Sequence, residues 1–147
     1  MLNNQKAKSK IIIVAVIVGI ALIGIVMYNG FVYDDARLAD LRATYFDETD
    51  RLAVAVVLTN SDGHFTEANG HLDLTITNER GGTVYSNGYD FTKNDFLTWD
   101  NLFGGQSRGV VFTINERFPQ GDYDVFANLQ TKSHYWEKLH ARFYSLE

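Results

Sequence analysis

The sequence predicts an all-β fold, an antiparallel β-sandwich of about seven strands, preceded by one N-terminal transmembrane helix. Three observations predict it. Residues 11–28 contain no charged side chain, whereas all 18 acidic residues lie at or after Asp34. From about Ala36 onward, apolar residues recur at every second position, as they do in strands with one buried face. Clusters of Gly, Asn and Asp separate these segments, as tight turns require.

The apolar run over residues 11–27 has the length and composition of a membrane anchor. It holds twelve Ile, Val or Leu residues, and each contributes about −0.3 to −0.6 kcal/mol to membrane insertion near a helix centre. Continued to residue 33, a helix that rises about 1.5 Å per residue spans the roughly 30 Å core of a bilayer. We therefore expect a transmembrane signal-anchor helix over residues 11–33.

The charges that flank this run predict its orientation. Residues 1–10 carry three lysines, whereas Asp34 and Asp35 follow the run. Positively charged flanks stay in the cytoplasm, so we expect a cytoplasmic N-terminus and an extracytoplasmic domain over residues 34–147. A cleaved signal peptide and a prepilin-type leader are alternatives, although no small-x-small cleavage site follows the run. Because the sequence has no cysteine, it can form neither a lipidated cysteine anchor nor a disulfide.

Two hairpins are expected first in the outer domain. Residues 41–45 alternate in polarity, and a polar turn leads from them to Leu52, Val54, Val56 and Leu58 at every second position. Residues 72–76 also alternate, and Glu79-Arg80-Gly81-Gly82 leads from them into residues 84–91. Residues 92–109 are expected to form a long connection. Later strands should turn these residues toward the core: Val110, Phe112, Ile114, Tyr123, Val125, Ala127, Leu129, Leu139, Ala141 and Phe143.

Two segments carry a resemblance to a known class of domains. Pro119-Gln120-Gly121-Asp122-Tyr123-Asp124-Val125 resembles the PxGxYxV entry to the penultimate strand of immunoglobulin-like and fibronectin-type-III-like domains. Residues 62–96 are similar to repeats of this class in prokaryotic surface proteins. The resemblance implies an immunoglobulin-like sandwich in which Tyr123 bonds back to the backbone. It transfers no active site, and the cysteine pair and core tryptophan of antibody domains are absent.

No pattern of residues predicts a catalytic or metal site. The four histidines, His64, His71, His134 and His140, do not occur at metal-ligand spacing. The serines lack a GxSxG context, and the glycine-rich residues 104–109 precede a strand instead of a helix. The acidic residues Asp47, Glu48 and Asp50 fit a solvated turn better than a calcium loop. We therefore predict a protein that is not an enzyme and binds no cofactor.

Charge excludes two classes of partner. Residues 34–147 hold ten basic and 18 acidic residues, a net charge of −8. A domain with this charge repels nucleic acid and anionic lipid.

Several aromatic residues are candidates for a protein-protein contact. Trp99 and Phe103 lie in the long connection with Leu102, while Phe126, Trp136 and Tyr144 fall on the expected outward phase of the last two strands. Outward aromatics favour a binding surface. The alternative is that the register is misjudged and they belong to the core. The final strand is also a candidate edge for strand addition.

These observations favour a single-pass surface protein whose sandwich mediates protein-protein interaction or assembly in the cell envelope. The partner would be another membrane or cell-envelope protein, or a second copy of the chain. An alternative is an accessory, stator-like or structural subunit of a membrane complex, since the architecture resembles the sandwich proteins of archaeal motility filaments. A metal-dependent hydrolase is the third hypothesis, and the sequence supports it least.

Overall fold

The computed structural model describes residues 34–102 and 104–146, and this part of the chain is mostly β-structure. Two single-turn 3-10 helices, Asp47–Thr49 and Lys93–Asp95, connect strands. In the described residues the strands are β1 (Leu38–Phe46), β2 (Arg51–Thr59), β3 (Gly70–Asn78), β4 (Thr83–Phe91), β5 (Phe96–Asp100), β6 (Gln106–Ile114), β7 (Gly121–Thr131) and β8 (Tyr135–Ser145). No helix among these residues is long and apolar enough to cross a bilayer. The helix predicted over residues 11–33 lies outside the described residues.

The strands form two four-stranded antiparallel sheets, so the all-β prediction is confirmed. The first sheet has the order β1-β2-β6-β5 and the second has the order β4-β3-β7-β8. Both predicted hairpins are also confirmed. β1 pairs with β2 from Leu38 opposite Thr59 to Phe46 opposite Arg51. β3 pairs with β4 from Gly70 opposite Phe91 to Thr77 opposite Thr83, with one irregularity after Ile76.

The core lies between the inner faces of the two sheets. Leu52, Val54 and Leu58 of β2 are fully buried there, as are Leu72 and Ile76 of β3. Burying side chains of this size stabilises a fold by about 1.5–3 kcal/mol each. The inward residues predicted for the later strands are buried as well, except that Leu139 and Ala141 pack against the core while partly exposed.

The prediction of about seven strands missed one. β5 lies within the connection over residues 92–109, where we expected a loop, and it pairs with β6 from Phe96 opposite Val110 to Asp100 opposite Gln106. It is only five residues long and only Phe96 is buried. A short edge strand with one buried residue gives no visible alternation, and this is why the sequence pattern missed it.

The sandwich has two ends, which we call the entry pole and the far pole. The chain enters at the entry pole, where strand β1 begins. The entry pole comprises residues 34–37, the loop over residues 60–69, the β5–β6 turn and the β7–β8 turn. The far pole comprises residues 47–50, 79–82 and 115–120 together with Leu146.

A tyrosine fixes the corner between the two sheets at the far pole. The Tyr123 hydroxyl donates a hydrogen bond to the Pro119 carbonyl oxygen at 2.7 Å, as the sequence resemblance implies. Its ring stacks on Phe143 at 5.0 Å and meets Phe118 edge-on at 5.3 Å. Burial raises the pKa of the Tyr123 phenol. The hydroxyl therefore stays protonated and tethers the β6–β7 connection to the start of β7.

Tyr123→Phe should lower the free energy of unfolding by about 1–2 kcal/mol, because it removes the bond and leaves the Pro119 carbonyl without this donor. Urea unfolding of the full chain in mild detergent, followed by tryptophan fluorescence, measures the change. Tyr144→Phe, on an exposed side chain, is the matched control and should change stability by less than about 0.5 kcal/mol. Equal stability of the two variants would contradict a structural role for the Tyr123 hydroxyl.

Candidate interaction surface

The outer face of the first sheet, which points away from the core, has an apolar patch on its central strands, and Asp40 and Arg42 of β1 lie on the same face. On its central strands β2 and β6 the outward positions include Ala53, Ala55 and Val111. Val57 is also on the outward phase and is only 3% exposed. Strands with apolar residues at successive positions are typical of sheets covered on both faces. The composition of β2 is therefore typical of a strand in a sheet that is covered on both faces.

Larger side chains stand on both sides of this apolar floor. Phe46 on β1 and Trp99 on β5 close a groove of about 320 Å³, and Phe46 is about half exposed. We call this concave surface the outer groove. Its lining residues are Arg42, Thr44, Phe46, Ala53, Ala55, Trp99 and Val111.

A glycine allows Trp99 to lie against β6. Trp99 pairs with Ser107 in the ladder, and a Cβ on Gly109 would lie 3.2 Å from Trp99 Cη2 and 2.3 Å from the Val56 carbonyl oxygen. A side chain at Gly109 would therefore collide with backbone, which cannot give way as a side chain can. Gly109 thus sets the position of one flank of the outer groove.

Arg42 is the one charged residue that lines the outer groove. Its Nε pairs with Asp40 Oδ2 at 2.8 Å and its Nη1 donates to Ser107 Oγ at 3.0 Å. The Ser107 hydroxyl in turn donates to Asn101 Oδ1 at 3.0 Å. These bonds hold the Arg42 side chain across β2, between Asp40 on β1 and Ser107 on β6. A held guanidinium offers oriented donors to a carboxylate or carbonyl of a bound partner.

The apolar outer face continues to the entry pole. Leu38 lies opposite Thr59 in the β1–β2 ladder, and an isolated bridge joins Thr59 to Phe65 on its other side. Residues paired across strands share a face, so Leu38 and Phe65 extend the surface that includes the outer groove. Both side chains are exposed.

The outer face of the second sheet is polar and has its own ion pairs. His71 Nδ1 lies 2.6 Å from Asp90 Oδ1 and its Nε2 lies 3.2 Å from Asp73 Oδ1. These hydrogen bonds, the one to Asp90 first, raise the pKa of His71 above its ordinary value. The outer face of the second sheet is therefore more polar than the floor of the outer groove.

A second histidine pair lies on the same polar face. His140 Nε2 lies 2.7 Å from Asp124 Oδ1, and its ring stacks on Phe126 at 5.0 Å. Arg142 Nε also pairs with Asp124, at 2.9 Å. The hydrogen bond from His140 is the main reason that the pKa of Asp124 is lowered. Phe126 is thus occupied by a stacking partner within the chain.

The predicted interaction residues do not form one site. Trp99 lies in the outer groove, whereas Phe126 and Tyr144 lie on the outer face of the second sheet, where Tyr144 is opposite Asp122 and exposed. Phe103 lies outside the described residues. Among the described candidates, only Trp99 lines a groove on an outer face together with another large apolar side chain, Phe46.

The expected outward position of Trp136 is wrong. Trp136 lies opposite Leu129 and packs against the core. The reason is a bulge, where the β7–β8 register shifts between Ala127 and Leu129 and Lys138 adopts a φ of 53°. The extra residue reverses the phase of β8 before the bulge. Counting back from Leu139 by twos therefore assigned Trp136 to the wrong face.

Sequence analysis did not identify Phe46, Ala53 and Ala55 as part of a surface. A signal was present, because residues 52–58 are apolar at every position. We interpreted this run as a half-buried strand with period two. A continuous apolar run instead indicates that both faces of the strand need cover.

The acidic residues of the β1–β2 turn have partners within the chain. Asp47 Oδ1 accepts a hydrogen bond from the Leu146 backbone N–H at 2.7 Å, and Asp50 Oδ1 accepts one from the Tyr45 hydroxyl at 3.2 Å. Across the described parts of the chain, no group of three or more His, Asp or Glu side chains is arranged to hold a metal ion.

Comparison with known proteins gives no functional assignment. No family model matches the chain, and no curated protein matches it. Solved structures with some similarity include a β-glucuronidase of Parabacteroides merdae, at 10% identity and a TM-score of 0.38, over 76% of this chain and 13% of that one. A protein of Bacteroides fragilis assigned as a β-galactosidase has 14% identity and a TM-score of 0.35, over 71% of this chain and 15% of that one. The chain spans less than a sixth of either protein, and no activity transfers from them.

The raised pKa of His71 predicts a pH-dependent contribution to stability. Because the folded-state pKa exceeds the unfolded value of about 6.5, the contribution is complete below about pH 6.5 and is lost as the pH rises through the folded-state pKa. His71→Gln should therefore cost more stability at pH 5.5 than at pH 9. NMR titration of the His71 ring protons measures the folded-state pKa that produces this pH dependence.

Asp90→Asn should lower the His71 pKa more than Asp73→Asn does, since the bond to Asp90 is the larger cause. A His71 pKa at or below 6.5 in the unmodified chain, or one that Asp90→Asn leaves unchanged, would contradict this assignment.

Proposed function

We propose that this chain is a non-catalytic, single-pass membrane protein whose extracytoplasmic, immunoglobulin-like sandwich binds another protein of the cell envelope. The observation that carries the proposal is the apolar outer face of the first sheet. The anchor locates the domain, the sandwich gives it shape, and the outer groove is the binding surface.

Two features support an immunoglobulin-like assignment of the sandwich. When β1, β2 and β3 are lettered A, B and C, β4 is C′, and β5 to β8 are D to G. The first sheet then has the order A-B-E-D and the second has the order C′-C-F-G, which is the strand order of that class. The second feature is Tyr123, which stands at the start of the penultimate strand β7 and bonds back to Pro119. A tyrosine at this corner is a hallmark of the class.

The location follows from the sequence of the anchor. A run without charge over residues 11–28, with lysines before it and aspartates after it, is typical of a helix with a cytoplasmic N-terminus. The sandwich then lies outside the cytoplasmic membrane. A domain without cysteines is unaffected by the redox state of that compartment.

The shape and position of the outer groove favour one kind of occupant. Its floor of Ala53, Ala55 and Val111 lies between taller flanks at Phe46 and Trp99. The outer strands of the four are about 14 Å apart at normal strand spacing, and a helix with side chains is about 10–12 Å across. We therefore assign the outer groove to an apolar helix of another protein. That protein belongs to the same membrane, since the apolar face begins at the entry pole.

Charge and shape both disfavour a second copy of the chain as the occupant. Two domains with a net charge of −8 each repel one another. Two grooves that face each other would also meet flank against flank and leave the floors uncovered. A convex partner covers the floor, fills the space beside Trp99 and offers an acceptor to Arg42. Tryptophan and arginine are the residues that most often dominate such interfaces.

The partner should crosslink to the outer groove. A photoreactive benzoylphenylalanine in place of Ala55, in the full chain in its host cells, should give a crosslinked product that contains another membrane protein. Replacing Ala55 by Arg should reduce co-purification of that protein in mild detergent at least tenfold, because a charge on the apolar floor is buried without a partner.

Thr75 provides the matched control, because it lies on the central strand β3 at the outer face of the second sheet and is also partly exposed. The same photoreactive residue at Thr75 should give no such product, and Thr75→Arg should keep the partner. If the photoreactive residue at position 55 crosslinks only to a second copy of the chain, the occupant of the outer groove is that copy and not another protein. Equal crosslinking from both positions, or a partner unaffected by Ala55→Arg, would remove the outer groove as the binding surface.

The topology is tested separately with introduced cysteines. Arg80 is exposed at the far pole, so Arg80→Cys should react with a membrane-impermeant maleimide in intact cells. Gln5→Cys, in the cytoplasmic segment, should react only after lysis. The chain has no native cysteine, so each signal reports one position. The reverse pattern would contradict the proposed orientation.

A further inference from the structure

Residues 34–37 are bonded to the other parts of the entry pole along their length. The Asp34 carbonyl oxygen accepts a hydrogen bond from Ser133 Oγ at 2.9 Å, and the Arg37 backbone N–H donates to the Thr59 carbonyl oxygen at 2.8 Å. Between them, Ala36 is fully buried and the Asp35 carboxylate accepts a hydrogen bond from the Thr66 hydroxyl. These residues are therefore part of the sandwich and do not serve as a flexible linker.

This attachment leaves no free residues between the expected membrane span and the sandwich. Residue 33 ends the expected membrane span and Leu38 begins β1. Asp34, the first residue after that span, is already bonded to the sandwich through its carbonyl oxygen. The headgroup layer on each side of a bilayer is about 5–7 Å thick. If residues 11–33 span the bilayer as proposed, the entry pole begins within this layer.

The loops of the entry pole expose apolar side chains at their tips. Leu102, at the tip of the β5–β6 turn, is 98% exposed, and Phe65 in the loop over residues 60–69 is 46% exposed. The turn that carries Leu102 is closed by hydrogen bonds from Asn101 N–H to the Gly105 carbonyl and from Gly104 N–H to the Asn101 carbonyl. Leu102 is thus held out from the domain. Tyr135, beside the β7–β8 turn, is about half exposed and is a residue type enriched at membrane interfaces.

We propose that the entry pole rests on the bilayer surface, with Leu102 and Phe65 inserted among the headgroups of zwitterionic lipids. The inference rests on the anchor of the proposed function. Zwitterionic lipid is the expected surface because the acidic net charge of residues 34–147 repels an anionic one. The anchor keeps the local concentration of lipid high, so two inserted side chains suffice to orient the domain.

A fluorescent label at the loop tip tests the contact. The full chain with Leu102→Cys, labelled with an environment-sensitive dye, is reconstituted into phosphatidylcholine vesicles with a nitroxide in the headgroup region. Leu146→Cys is the matched control, since Leu146 is an exposed leucine, 66% accessible, at the far pole. The label at Leu102 should emit at shorter wavelength and be quenched at least twofold more than the label at Leu146. Replacing a third of the lipid by phosphatidylglycerol should reduce this difference.

Phe65→Cys supplies a second position and should behave like Leu102→Cys. Flotation of the vesicles separates this inference from the proposed function. One outcome is that the chain floats with the vesicles while the labels at Leu102 and Phe65 have the same emission and quenching as the label at Leu146. In that case the proposed anchor is supported and the proposed contact of the entry pole with lipid is wrong. If the chain does not float, the anchor is wrong and the inference is overturned with it.

Discussion

The structure depends on the burial of the inward face of strand β2 between the two sheets. Its inward residues, among them Leu52 and Val54, are fully buried between the two sheets. Its outward residues Ala53 and Ala55 are small, so the strand presents a low floor between taller neighbours. A central strand with apolar side chains on both faces is satisfied only when both faces are covered. The core covers one face of β2, and the other face forms part of the floor of the outer groove.

The two outer faces divide the surface of the sandwich by chemistry. On the second sheet, each of two histidines is bonded to an aspartate, and Phe126 is stacked on His140. Polar side chains satisfied by one another gain little from a partner, because any new contact must first compete with existing ones. On the first sheet, Arg42 alone contributes a charge to the outer groove. This contrast favours the first sheet as the face for binding protein.

The fold was largely predictable from the sequence, because alternation and turn residues are local signals. The hairpins formed by β1 with β2 and by β3 with β4 follow directly from period two and from the glycines between the strands. β5 was not predictable in this way, since only Phe96 faces the core and the rest of the strand shows no pattern. Its identity as a strand comes from pairing with β6, which is a tertiary property.

The candidate site was much less predictable than the fold. Trp99 was identified as an outward aromatic, but its neighbours Phe46 and Ala55 come from strands distant in sequence and are brought together by sheet order. Trp136 was assigned to the wrong face because a single extra residue near Lys138 reverses the phase of the strand. A bulge leaves no mark on composition, so period counting alone cannot find it.

The bonded segment over residues 34–37 has a consequence for how the domain meets other molecules. A long flexible linker lets a domain sample many positions, and a shorter linker narrows that range. For the anchored chain that we propose, encounters then depend on lateral diffusion in two dimensions. Under that proposal, the number of free residues before the sandwich limits which partners can reach the outer groove, in addition to the residues that line it.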